Sequence, residues 1–172
     1  MINVFEPDLG NLELEALETT IASKWIGKGK KEEVFRNTFG ALIGVPGDSI
    51  VTYNSCTEAF FQLFEFLKLP QDSEVIIPTV SFVGVANSVA ASGSKIRFCD
   101  INPKSGNPDL EDIQKATTPN TRAVIFQHYG GNMGEIDKIA EFCRRNQILL
   151  IEDAAAALGS TLNGKSAGIF GD

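Results

Sequence analysis

A chain of 172 residues with 43% apolar and 22% charged residues has enough apolar material for one domain with a substantial core. Its 22 acids against 15 bases leave a net charge of −7, which excludes a general nucleic-acid binder with a basic face. No apolar run approaches the roughly 20 residues of a membrane span, so no membrane partner is expected either.

In chain order, the start Met1–Pro7 lacks the basic and apolar regions of a secretory signal. Leu12, Leu14, Leu17, Ile21 and Ala22 recur at near-helical spacing and predict a helix over 11–24. Lys24 to Lys30 reads as an exposed basic loop, and it is no P-loop because G-x-x-x-x-G-K-[ST] is absent. A second helix over 31–42 should bury Val34, Phe35, Phe39 and Leu42, with Gly44 to Asp48 as the following turn. From Ser49 the pattern alternates. Strands are predicted at 50–53, 74–77, 95–99, 122–126 and 148–151, and helices at 57–67, 82–91, 110–116 and 136–145. Such alternation predicts an α/β fold, a mostly parallel sheet with helices on both faces. The whole of 1–172 is expected to be a single domain, with N-terminal helices and loops over 1–48 and βα units over 49–172. The tail Gly159 to Asp172 is rich in Gly and Ser and reads as an unfinished end that would leave a sheet edge exposed. Cys56, Cys99 and Cys143 are odd in number and form no C-x-x-C pair. Free thiols in a cytoplasmic, reducing setting are expected, and no metal site.

Candidate chemistry gathers at the strands' carboxyl ends, where open α/β sheets bind ligands. The run Ile148-Leu149-Leu150-Ile151 stops at Glu152-Asp153, acids that either cap the next segment or face a ligand. Asn54-Ser55-Cys56-Thr57 opens a helix with small, hydroxylated residues, either as a plain N-cap or as a phosphate site of free N–H groups and helix dipole. Phe82, after Pro78-Thr79-Val80-Ser81, is either core or a ring to stack on a flat ligand, worth about 0.5–1.5 kcal/mol beyond area burial. His128 is the only histidine. With no G-x-S-x-G elbow beside it, it reads as structural or a minor pocket residue. A phosphate turn, an aromatic ring and a strand-end acid together suit pyridoxal phosphate, whose ring nitrogen a carboxylate keeps protonated.

These residues resemble a known family. Ser55-Cys56-Thr57-Glu58-Ala59, Glu74 to Pro78 leading to Ser81-Phe82-Val83, His128-Tyr129-Gly130-Gly131 and Glu152-Asp153-Ala154-Ala155 occur in the order and spacing of the DegT/DnrJ/StrS sugar aminotransferases. Trp25-Ile26-Gly27-Lys28-Gly29 is similar to that family's W-x-x-x-G loop. The resemblance implies the large domain of a fold type I pyridoxal-phosphate enzyme. Cys56 and Thr57 would bind the phosphate, Phe82 would stack on the pyridine ring, and Asp153 would pair with the ring nitrogen. It also implies a nucleotide-linked keto sugar as substrate, an amino-acid donor and a homodimer.

Two departures from the family pattern stand out. Ala156 occupies the place where the family commonly has a Gln that bonds the ring hydroxyl. The lysine that forms the Schiff base would follow Gly171-Asp172, and no lysine in this sequence sits at the matching position. The 172 residues alone should therefore be catalytically silent. Alternatives are a non-catalytic product of a split or truncated gene, and a pyridoxal-phosphate sugar dehydratase with His in place of that lysine. A plain dinucleotide-binding domain is a weaker rival, since G-x-G-x-x-G is missing.

Overall fold

The computed structural model describes residues 7–172, so the reading of Met1–Glu6 lies outside it. Two helices lead the chain, α1 (Asn11–Ala22) and α2 (Lys30–Ile43). A βα succession follows: α3 (Cys56–Leu67), β1 (Glu74–Pro78), α4 (Val83–Ala91), β2 (Lys95–Cys99), α5 (Leu110–Ala116), β3 (Thr121–Gln127), α6 (Ile136–Asn146) and β4 (Leu149–Asp153). A short hairpin, β5 (Thr161–Leu162) and β6 (Lys165–Ser166), comes last. The four main strands form one parallel sheet in the order β2-β1-β3-β4.

That order follows from burial. Val75, Ile76 and Ile77 of β1 and Ala123 to Phe126 of β3 are fully buried, so the apolar runs of the two central strands are covered on both faces. Phe60 and Phe64 of α3 and Val85 and Val89 of α4 pack with Val75, Ile77, Ala123 and Ile125 on one face. Ile113 of α5 and Ile136, Ile139 and Cys143 of α6 pack with Ile76, Val124, Phe126 and Leu150 on the other. The β1-to-β2 crossover runs one way along the sheet and β3-to-β4 the other, so connections of a single hand put α4 and α6 on opposite faces. The strand order reverses between β1 and β3, and in such sheets ligands usually sit outside the carboxyl ends of the strands at that point.

Two expectations need correction. Residues 50–53 pair with no strand among the described residues, where the main sheet has four strands rather than five. Val51 and Tyr53 are exposed, and β-branched residues form a strand only where a neighbour accepts the ladder. Of the α2 face expected to be buried, Phe39 is half-buried and stacked on Phe35, while Val34, Phe35 and Leu42 are more than half exposed. The helix packs instead through Gly40, where a Cβ would lie 2.5 Å from the Val45 carbonyl oxygen. In the tail, Asn163-Gly164, both at positive φ, turn the β5–β6 hairpin, and this dipeptide is a strong hairpin signal.

Candidate functional site

The site is built from the face of the sheet that carries α3 and α4. α3 starts because Ser55 caps it, its Oγ accepting from the Glu58 N–H at 3.1 Å. Phe60, Phe64 and Leu67 form the stripe that seats it on the sheet; full burial of a side chain such as Phe64 is worth about 1.5–3 kcal/mol. The helix stops at Lys68, in the left-handed conformation, just before Leu69-Pro70. The Cys56 and Thr57 N–H groups in the first turn have no partner within the helix and lie at its positive end.

Asp153 is the last residue of β4 and is buried. Its Oδ1 accepts from the Ala155 N–H at 3.1 Å and from the Cys56 thiol at 3.9 Å. Burial, then the Asp153 charge and hydrogen bond, raise the Cys56 thiol above its ordinary value, so it is a proton donor and not a thiolate. Cys99 and Cys143 are buried thiols, pushed up to about 12 chiefly by burial. Phe82 is the N-cap of α4 and is 58% exposed, so it is not core. A Cβ on Gly84 would lie 2.8 Å from the Phe82 ring and 3.0 Å from the Thr57 methyl, so both side chains close on the space that the missing Cβ leaves. Cys56, Thr57, Phe82 and Asp153 thus come together at one end of the sheet.

Glu152 and His128 point the other way. Strand residues alternate faces, so both sit among α5 and α6 with Phe126 and Leu150. His128 is fully buried, 2.6 Å from Glu152 Oε2 through Nε2 and edge-on to Phe126. A carboxylate offers no proton, so Nε2 carries it and donates. The Glu152 oxygens also accept from the N–H groups of Gly168, Phe170 and Gly171 at 2.9, 2.6 and 2.7 Å. Burial is the largest influence on this carboxyl and raises it, but His128 and the three N–H groups outweigh burial and hold it below its ordinary value. His128 and Glu152 are therefore structural, tying the 168–171 loop to β3 and β4. Lys165 lies over the Phe170 ring and faces α6 with Asp137 and Glu141, on the opposite side of the sheet from Asp153.

One residue at this end escaped the sequence reading. Gln127 closes β3 level with Asp153, and its Oε1 is buried without a partner among the described residues. Its only sequence signal is a polar residue ending an apolar strand. Among the described residues no three His, Cys, Asp or Glu side chains converge to hold a metal ion.

A four-stranded parallel sheet whose edge strand β4 ends in a buried acid, set against the first turn of α3, has the form of a ligand-binding α/β domain. Comparison with known proteins makes this specific. The profile of the DegT/DnrJ/EryC1/StrS aminotransferase family matches residues 7–172, and the chain belongs to that family. It is 43% identical, over its whole length, to a dTDP-4-dehydro-2,3,6-trideoxy-D-glucose 4-aminotransferase of Saccharopolyspora spinosa, covering 45% of that protein. The crystal structure of the aminotransferase TlmJ from Streptoalloteichus hindustanus superposes with a TM-score of 0.97 at 41% identity, over 100% of this chain and 47% of that one. An E. coli GDP-4-keto-6-deoxy-D-mannose-3-dehydratase with bound hydrated PLP superposes at 0.87 with 26% identity, over 99% of this chain and 46% of that one. The chain spans about half the length of the relatives it matches.

Proposed function

We propose that this chain forms the cofactor cradle of a pyridoxal-phosphate-dependent aminotransferase that acts on a nucleotide-linked keto sugar, with an amino acid such as glutamate as donor. One observation carries the reading. A buried carboxylate at the end of β4 stands against the first turn of α3, so an anchor for a cationic ring and an anchor for an anionic phosphate share one crevice.

The donor set fits the group. The Cys56 and Thr57 N–H groups would hold the phosphate at the positive end of α3, without a lysine. The exposed ring of Phe82 would cover the flat pyridine and exclude water from its face. Asp153, fixed by the Ala155 N–H and the Cys56 thiol, would hold the proton on the ring nitrogen. When bound, the cofactor supplies the electron sink that lets an amino group leave one carbon and join another. The Schiff-base lysine is assigned to the part of the relatives that these residues do not match. His128 is no substitute, because it is enclosed on the other face by Glu152 and Phe126.

The sugar class is proposed from the relatives, one named for a dTDP-linked and one for a GDP-linked keto sugar. A homodimer in the cytoplasm completes the proposal, supported by the apolar side chains that α1 and α2 leave open and by three free cysteines. The dehydratase fold match keeps sugar dehydration as the second reading.

The test is a titration of the chain with pyridoxal phosphate, followed by absorbance. Asp153→Ala is expected to weaken binding roughly ten- to hundredfold, the worth of one charge-assisted hydrogen bond. Equal affinity in the variant and the parent would sink the cradle. Appearance of an amino sugar rather than a deoxy sugar, read by mass spectrometry in a polypeptide that also carries the lysine, separates the two reactions.

A further inference from the structure

Gln127 is half-buried, and its side-chain oxygen is a buried polar atom that the roles above do not use. It ends β3 in register with Asp153 of β4, and side chains of paired residues on adjacent parallel strands project from the same face. That face carries Ala123 and Ile125 below it, with α3 and α4 packed on them. At this level the Cys56 thiol already reaches the Asp153 carboxylate at 3.9 Å. The Gln127 amide thus stands beside Asp153 at the carboxyl end of the sheet, near the first turn of α3.

Its Oε1 is buried without a hydrogen-bond partner among the described residues. Burying an unpaired polar atom is costly, and an apolar residue of similar size would avoid that cost, so the amide calls for a ligand. Asp153 already has protein donors, from Ala155 and Cys56. Ala156, where related sequences commonly have a glutamine, offers no polar side chain. An amide can turn either its N–H or its C=O toward a partner by rotation of its last torsion.

We propose that Gln127 is a cofactor-contacting residue, its side-chain amide hydrogen-bonding the ring hydroxyl of pyridoxal phosphate from the strand next to Asp153. This rests on the cradle reading above and adds to it. Asp153 fixes the ring nitrogen, and Gln127 fixes the neighbouring oxygen substituent, so the ring is held at two points along one edge. The polar contact missing at position 156 is replaced from another strand.

The experiment compares the chain with its Gln127→Leu variant, using pyridoxal phosphate and its 3-deoxy analogue, which lacks the ring hydroxyl. Leu removes an unpaired buried oxygen at similar volume, so the melting temperature of the variant should equal or exceed the parent's. The variant is expected to bind pyridoxal phosphate about three- to tenfold more weakly, as for the loss of one neutral hydrogen bond, and to bind the deoxy analogue as the parent does. Unchanged affinity for pyridoxal phosphate overturns the inference, and so does an equal loss for both probes, which would reflect shape alone. Asp153→Ala separates this failure from failure of the cradle reading. If Asp153→Ala weakens binding and Gln127→Leu does not, only the Gln127 contact falls. If neither matters, or the parent chain binds no pyridoxal phosphate, both fall.

Discussion

Glu152 has two oxygens and four donors: the His128 ring and the N–H groups of Gly168, Phe170 and Gly171. Glu152→Gln keeps the shape but sets an NH₂ group against N–H donors. It should cost about 1.5–3 kcal/mol in urea unfolding, the range for hydrogen bonds to a charged group. The pH dependence has a definite sign. The carboxyl is held below its ordinary value in the folded chain, so its stabilisation is complete above the unfolded value and is lost as pH falls through the folded one. Acid titration of the parent should show this loss, and Glu152→Gln should flatten that part of the curve; an identical acid limb in both would refute the assignment. Of the two adjacent acids, Asp153 was legible because its place at the end of an apolar run is itself the argument. The partner of Glu152 was not legible, because His128 lies 24 residues away and meets it only through the β3–β4 register. Gln127 was hidden for the same reason: a polar residue ending a strand is ordinary until the neighbouring strand puts Asp153 beside it.

At the scale of elements, the strands that are buried on both faces were the readable ones, since β1 and β3 are continuous apolar runs. Ile50-Val51-Thr52-Tyr53 has the same composition without a partner strand, so local preference alone misleads there. Bounds also shifted: β4 runs through its two acids to Asp153 instead of stopping before them. Its outer edge is not bare, because the Asp172 N–H donates to the Leu150 carbonyl and the Leu150 N–H donates to Asp172 Oδ2, both at 2.9 Å. Such an approach requires a residue without a side chain, as a Cβ on Gly171 would lie 2.4 Å from the Leu150 oxygen. Gly171→Ala should therefore push residues 170–172 off the edge and lower stability by about 1–3 kcal/mol, the usual cost of overpacking. Hydrogen exchange gives the local readout, with faster exchange at the Leu150 amide expected. Protection equal to the parent's would mean that the edge contact contributes nothing.

For the whole molecule, the sheet is enclosed on both faces while the N-terminal helices stay open. α1 buries none of its residues, and Leu12, Leu14, Leu17 and Ile21 are all more than half exposed. Trp25 and Ile26 in the next loop are 67% and 84% exposed. Large apolar patches on this scale mark interaction surfaces, and the proposed homodimer supplies a partner of the same chemistry. Because α1 contributes nothing to the described core, charges on it should leave folding intact, within about 0.5 kcal/mol for an exposed site. The double variant Leu17→Glu, Ile21→Glu should therefore melt like the parent. It should dissociate at roughly hundredfold higher concentration in sedimentation equilibrium, since an interface that takes in unpaired carboxylates must desolvate them. A parent that remains monomeric at every concentration would remove the homodimer. A dimer indifferent to both charges would move its interface away from α1, leaving the exposed side chains of α2, Val34, Phe35 and Leu42, as the next surface to charge.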